Sequence, residues 1–450
     1  MSQQGPAGSS TPPGQLLNVL GVAFGLAGSV GGTIGAGILR TPGLVAAQLP
    51  STQWILAIWL VGGLYALLGA ICIAELAAAL PKAGGWTVYA EAAFGRRAGL
   101  VVGWCDWLAH CIGLAWVATT LGELLSSITP LNSTAGAIGV VLVFSGIQVL
   151  GVRAGGASQE LLSLGKAVAF LVLVAACFLL PPAAAGLATA VETSPPLATG
   201  PAFSGPALWM PVVLALQAVI TTYDGWASPV YFAEEFQAPA RDLPRSLIGG
   251  VVAVVALYLL INAALLHVLP LHVLANAQIP AADAAQAVVG HLGGTVITGV
   301  ALLALLGLIN TVVMAAPRIL YGLARSGLLP GPLAQVSEGG TPLPALLLTV
   351  GASTVLVLAG SFEHLLAIGA MFYVALPLSG LTALVALRLQ QPERPRPFRC
   401  WGYPITPVVV GVVSLAFLMA AAISEPKDCL IAVGLAALGG ALNPQTQATA

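Results

Sequence analysis

The stretch Val251-Val252-Ala253-Val254-Val255-Ala256-Leu257-Tyr258-Leu259-Leu260-Ile261-Asn262-Ala263-Ala264-Leu265-Leu266 decides the fold. It lacks the alternation of a membrane β-strand, in which lipid-facing and lumen-facing side chains follow one another over about ten positions. As an α-helix, roughly 20 apolar residues cross about 30 Å of hydrocarbon with every backbone group bonded inside the segment. Runs of that kind recur along the whole chain, so they cannot all be core helices of a water-soluble protein. Composition agrees: of 450 residues, 58% are hydrophobic and 7% charged, against about 25% charged in an ordinary soluble domain. The expected fold is an all-α polytopic membrane protein.

Twelve transmembrane helices are predicted, over residues 18–39, 54–78, 98–126, 135–152, 158–180, 207–233, 247–269, 293–323, 342–360, 363–388, 405–423 and 427–442. Residues 1–17 are uncharged and rich in Ser, Gly, Pro and Gln. They lack the basic start and apolar core of a signal peptide and are expected to form a disordered tail. Residues 443–450 form a second, polar tail. An even number of crossings puts both termini on one side. With that side cytoplasmic, the loops holding Lys82, Arg96, Arg97, Arg153, Arg241, Arg245, Arg325, Arg394, Arg396 and Arg399 are cytoplasmic, and Arg318 and Arg388 lie near the same face. The opposite side keeps Arg40 and Lys427. Excess Lys and Arg marks the cytoplasmic face, so the expectation is a plasma (inner) membrane protein with both termini in the cytoplasm.

A net charge of −1 and the lack of a long basic tract argue against nucleic acid as a partner. The six cysteines form no CxxC pair and read as lone thiols. His110, His267, His272, His291 and His364 lack metal-site spacing, so neither a metal nor a cofactor is expected. The lipid bilayer is the partner expected from composition, with no obligatory protein partner.

Two spans are built to break. The first contains Gly31, Gly32, Thr33, Ile34, Gly35, Ala36 and Gly37, and each glycine weakens a helix by about 1 kcal/mol relative to alanine. The sixth contains Thr221, Thr222, Tyr223, Asp224, Gly225, Trp226, Ala227, Ser228 and Pro229, where the proline removes a helical hydrogen bond. Irregular backbone at membrane depth is tolerated where protein or a water-filled cavity satisfies it. Two breaks five spans apart therefore point to one shared site between two inverted five-helix repeats, residues 18–180 and 207–388, with two additional helices in 405–442. Close approach of helices through small residues is the other use of such glycines. A phosphate-cradling loop is excluded, since no LysSer or LysThr follows them.

Five motifs, in order, resemble the amino acid, polyamine and organocation permease family. They are Gly32-Thr33-Ile34-Gly35-Ala36-Gly37-Ile38 with Pro42, then Glu75 with Pro81-Lys82-Ala83-Gly84-Gly85-Trp86-Thr87-Val88-Tyr89 and Phe94-Gly95. The third runs from Tyr223-Asp224-Gly225-Trp226 through Glu234, Glu235, Pro239, Arg241, Asp242, Leu243, Pro244 and Arg245. The fourth runs from Asn310 through Arg318-Ile319-Leu320-Tyr321 and Arg325-Ser326-Gly327 to Thr341-Pro342, and the fifth is Pro397-Phe398-Arg399 with Tyr403-Pro404. The resemblance covers the chain outside the tails. It implies secondary transport of amino acids by alternating access around a central site, without sodium, coupled to protons or exchange, and no enzymatic activity.

Within such a site, backbone N–H groups at the start of a half-helix can hold a carboxylate, and Thr33, Gly35, Ala36 and Gly37 are the candidates. Unwound carbonyls near Thr221, Thr222 and Asp224 can accept from the substrate ammonium. Asp224 departs from relatives with a small residue there. It either pairs with a cationic amine, which keeps polyamines and cationic amino acids open as substrates, or caps the unwound backbone. Trp226 is a candidate gate or a packing residue. Lys166 lies eight residues into its span, roughly 12 Å deep, where a charge is costly unless paired. The resemblance puts it where sodium-coupled relatives hold an ion, and snorkelling to the interface is the alternative. Asp106 and His110 share a helix face at i and i+4, fit for a pair, a proton relay or a structural hydrogen bond.

Glu75 and the group Glu234, Glu235, Arg241, Asp242 and Arg245 are candidates for cytoplasmic-gate ion pairs. A channel is disfavoured because no filter repeat or ring-forming charge pattern is present. A non-transporting sensor shares every binding residue with a transporter.

Overall fold

A computed structural model describes residues 15–35, 37–181, 209–359 and 362–441; Ala36, most of the first predicted tail and the whole of the second lie outside them. The first predicted span is two helices, α1 (Val22–Thr33) and α2 (Gly37–Gln48), bent by 49°. Next come α3 (Thr52–Ala79), the short α4 (Trp86–Phe94), α5 (Arg96–Ile128), α6 (Ser133–Val149) and α7 (Val152–Leu179). The sixth predicted span is α8 (Trp209–Tyr223), a turn, and a 3-10 helix (Ser228–Glu235). Beyond it lie α9 (Pro239–Val268), the short α10 (Leu271–Asn276) and α11 (Pro280–Val289), then α12 (Gly293–Arg325). The remaining helices are α13 (Leu343–Ala359), α14 (Phe362–Gln390), α15 (Ile405–Ser424) and α16 (Pro426–Ala441). Among the described residues there is no β-strand; Leu20 and Phe236 form an isolated bridge.

The chain is a polytopic all-α membrane protein. Helix occupies each predicted span, but among the described residues seven segments are long and apolar enough to cross a bilayer on their own, eight counting the bent pair. With 17 residues each, α6 and α13 reach about 25 Å, so length alone does not make them crossings of a 30 Å layer. The first span also runs further than expected, to Gln48 instead of Leu39. Arg40 is exposed, and Pro42 near the start of α2 removes one helical bond without ending the helix. Local signals fix several ends. The Asn132 Oδ1 accepts from the N–H groups of Thr134 at 3.0 Å and Ala135 at 3.2 Å to cap α6. Pro239 and Asp242 sit in the first turn of α9.

Close packing around α1 uses its small residues. A Cβ added to Gly25 or Gly250 would collide with Ser246 or Ser29 respectively, so α1 and α9 approach through serine and glycine alone. On another face, a Cβ on Gly31 would lie 2.6 Å from the Ser163 Oγ of α7. The glycine density of the first span therefore serves close helix approach as well as the break. A polar cluster fastens α6, α7 and α12. The Asn310 amide donates to Gln159 Oε1 at 2.8 Å and its oxygen accepts from Gln148 Nε2 at 2.9 Å.

The two interrupted spans also meet at the end of the molecule where α1 begins. The Leu20 N–H donates to the Glu235 carbonyl and its carbonyl accepts from the Gln237 N–H, both at 2.9 Å. Asn18 Nδ2 adds a bond to the Glu234 carbonyl at 2.8 Å.

Candidate functional site

A helix that stops inside a bilayer leaves carbonyls without partners. At the end of α1 they are taken by Lys166, which reaches across from α7 and is fully buried. Its Nζ donates to the carbonyls of Gly31 and Ile34, each at 2.8 Å, and more weakly to Ala304 of α12 at 3.4 Å. An ammonium has three donors and no acceptor, so its hydrogen-bonding capacity is spent on backbone. The cation also faces the negative end of the α1 dipole. Gly307 of α12 makes the room: a Cβ there would stand 2.8 Å from Lys166 Cε and 2.9 Å from Nζ. This geometry excludes the snorkelling alternative.

The second break is a turn at Asp224 to Ala227. Gly225 has φ +98°, a left-handed conformation in which side-chain-bearing residues are disfavoured. It also lies against the end of α1, where a Cβ would come 2.5 Å from the Gly32 carbonyl carbon. The Gly225 carbonyl accepts from Ser228 Oγ at 2.6 Å, and the Trp226 carbonyl from Ser29 Oγ at 3.1 Å. Tyr258 of α9 ties both breaks together. Its hydroxyl lies 3.0 Å from the Thr33 carbonyl and 3.3 Å from the Thr222 carbonyl.

A narrow cavity opens beside the second break, between α3, the end of α8, the turn, α14 and α15. Tyr65, Thr221, Tyr223, Asp224, Trp226 and Tyr373 are its polar and aromatic lining, and about 20 Å³ is open to a water-sized sphere. That is room for about one water molecule. Trp226 is buried and stacks over Gly69, where an added Cβ would lie 3.2 Å from the indole.

The predicted site residues divide into groups. Thr221, Asp224 and Trp226 share the cavity. Gly35 and Gly37 flank the start of α2; Ala36 between them is outside the described residues. Thr33 spends its hydroxyl on its own helix, donating to Ser29 O at 2.8 Å. The Thr222 hydroxyl meets that of Thr41 on α2 at 2.8 Å and donates to Ala218 O, so it joins the two broken spans. Lys166 does not line the cavity; it holds the end of α1, against which Gly225 also packs. Sequence reasoning missed Ser29, Tyr65, Tyr258 and Tyr373, since a tyrosine or serine in an apolar helix carries no periodic or charge signal.

The candidate ion-pair residues take partners on several elements. Glu235 pairs with Arg318 of α12, both buried, through bonds to the Nε and Nη2 atoms, and the Arg318 guanidinium lies 4.6 Å from the Phe232 ring. Glu234 pairs with Arg325. Glu75 takes Arg388 at 2.5 Å and Arg396 at 3.2 Å. Arg241 pairs with its neighbour Asp242 at 2.8 Å; that bond raises the affinity of the exposed Arg241 guanidinium for its proton. Both glutamates of the 3-10 helix therefore reach α12, while Glu75 of α3 reaches α14 and the loop after it.

The family model described as "Amino acid permease" matches residues 15–434. The serine/threonine exchanger SteT of Bacillus subtilis (strain 168) is 27% identical over 435 residues, covering 94% of this chain and 96% of the relative. The b(0,+)-type amino acid transporter 1 of Homo sapiens is 26% identical, with 91% and 84% covered. The Asc-type amino acid transporter 1 of Mus musculus is 27% identical, with 90% and 76% covered.

Proposed function

The chain belongs to the amino acid permease family, a family of transporters and not of enzymes, and from that membership we propose that it moves amino acids by sodium-independent alternating access. The observation that carries the sodium-independent part is Lys166. In transporters with opened helices, unwound carbonyls are what coordinate a sodium ion. Here the carbonyls of Gly31, Ile34 and Ala304 already hold an ammonium at 2.8, 2.8 and 3.4 Å, and a second cation would have to displace it.

The substrate carboxylate sits at the start of α2, on the N–H groups around Gly35 and Gly37, with Ala36 between them. The substrate ammonium meets the unwound backbone near Thr221 and Asp224, with Trp226 as the lid. Two five-helix repeats, 18–180 and 207–388, rock about the contact between Gly32 and Gly225, and 405–442 flank them. The charge distribution supports cytoplasmic termini in the plasma (inner) membrane. A protein partner stays open, because one relative of Homo sapiens is by name a "Large neutral amino acids transporter small subunit 2".

The test is uptake of a panel of labelled amino acids and polyamines into liposomes containing the purified chain, with and without sodium and with preloaded substrate. Saturable uptake of an amino acid, accelerated by preloading and indifferent to sodium, is expected. Uptake that requires sodium sinks the role given to Lys166, and folded protein with no flux of any amine makes the chain a sensor.

A further inference from the structure

One buried polar cluster has no part in the site as described. Asp106 stands about ten residues, or roughly 15 Å, into α5 and is fully buried. Its Oδ1 accepts from the Tyr231 hydroxyl at 3.0 Å and lies 3.2 Å from His110 Nδ1. Its Oδ2 is buried without a hydrogen bond; the Trp86 backbone N–H approaches the carboxylate without completing one. Among the described residues no lysine or arginine pairs with it. A lone carboxylate at this depth costs several kcal/mol.

His110 is the group placed to relieve that cost. Its Nδ1 faces two acceptors, the Asp106 carbonyl at 2.8 Å and the Asp106 carboxylate, so Nδ1 carries the hydrogen and Nε2 is left with a free lone pair. Among the described residues nothing bonds Nε2, and the side chain keeps 13% exposure. Protonation at Nε2 turns a net charge of −1 into a neutral imidazolium–carboxylate pair.

The other titratable groups facing the pair from the elements around it are Tyr231 on the 3-10 helix, Asp224 in the turn before it and Tyr373 on α14. Cys105 and Cys111 flank it on α5 itself. No cation stands among these neighbours.

We propose that His110, seated on Asp106, is a proton-binding site that couples proton movement to the motion of the sixth span. The link is mechanical. Tyr231 belongs to the segment that follows the second break, its hydroxyl rests on Asp106, and its ring meets the His110 ring edge-on at 4.8 Å. A proton that changes how Asp106 accepts this hydroxyl changes the seat of the 3-10 helix. The inference rests on the permease reading above, with the proton as the second transported species.

The experiment compares exchange at symmetric pH with net accumulation under an inward proton gradient, in liposomes containing the full chain and an amino acid it carries. One proton per substrate across one pH unit supports up to about tenfold accumulation, and a protonophore should collapse it. Asp106→Asn and His110→Gln should keep exchange at symmetric pH and lose the accumulation. Tyr231→Phe, which leaves acid and imidazole in place, should shift the pH midpoint of uptake.

Wild-type protein that exchanges but does not respond to the gradient overturns the proposal and leaves the permease reading intact. Asp106→Asn or His110→Gln with a wild-type gradient response overturns it equally. Absence of exchange in the wild type strikes the permease reading first. Should both variants fail to fold, the wild-type gradient measurement and Tyr231→Phe still decide.

Discussion

At the first break the carbonyls of Gly31 and Ile34 are held by a charge from another helix, Lys166, whereas at the second the Gly225 carbonyl is held by Ser228, three residues further on. The first break depends on a distant ammonium and on Gly307, which leaves space for it. The second depends on its own φ-positive glycine and the nearby Ser228 hydroxyl, with neutral hydroxyls of Ser29 and Tyr258 added from α1 and α9. A break held by a distant charge can be released by moving one helix, so α7 and α12 control the first. A break held by its own turn and neutral hydroxyls keeps its shape and can move as a rigid unit. The comparison assigns switching to the first break and hinge geometry to the second.

Removing Lys166 should break this contrast most severely. Lys166→Ala leaves three buried carbonyls without their donor, and each charge-assisted bond contributes about 1.5–3 kcal/mol. For the two at 2.8 Å the loss is about 4 kcal/mol, equivalent to a roughly 10³-fold change in a conformational equilibrium. Uptake in liposomes should fall to background while the purified protein still elutes as one species with a lowered unfolding temperature. Near-normal uptake by the variant would mean that the first break needs no external charge.

Next in size is Gly225→Ala. An alanine at φ +98° costs about 1–2 kcal/mol, and its Cβ would strike the Gly32 backbone, which cannot rotate away as a side chain would. A loss of about 2–4 kcal/mol in stability and at least a tenfold loss of uptake are expected. The matching change at the first break, Gly35→Ala, meets the Leu308 Cδ2 at 3.3 Å, the far end of a flexible side chain, and should stay within about twofold of wild type. Equal damage from both changes, read by thermal unfolding, would erase the distinction between the breaks.

Much of this was legible in the chain because the residues concerned violate a rule of apolar helices. Glycines crowd positions 31–37, Asp224, Gly225 and Pro229 interrupt an apolar run, and Lys166 puts a charge at depth. Each violation demands a partner, so the two breaks and the buried lysine stand out in the sequence. What supplies the partners was not legible. Tyr258 and Ser29 read as packing, since nothing in a helical pattern says which way a hydroxyl points. The partners of Glu234, Glu235 and Glu75 could not be named from sequence because ion pairs between helices depend on rotation and depth, which apolar sequence constrains poorly. The continuation of α2 past Pro42 was hidden because one missing bond near a helix start does not end it.

The smallest effect belongs to the residue that both breaks share. Tyr258→Phe removes a hydroxyl that bridges the Thr33 and Thr222 carbonyls at 3.0 and 3.3 Å and leaves the ring in its cluster with Trp59 and Tyr223. One donor serves two acceptors, so the net loss is about 1 kcal/mol, or roughly five- to tenfold in an equilibrium. If the first break switches and the second moves rigidly, the bridge resists their separation. The variant should then raise the exchange rate or lower substrate affinity while melting within a few degrees of wild type. The pair of readouts distinguishes the roles. A change in KM with an unaltered maximal rate places the hydroxyl at the substrate, a change in maximal rate alone places it at the contact that opens, and no change in either shows that the two breaks act independently.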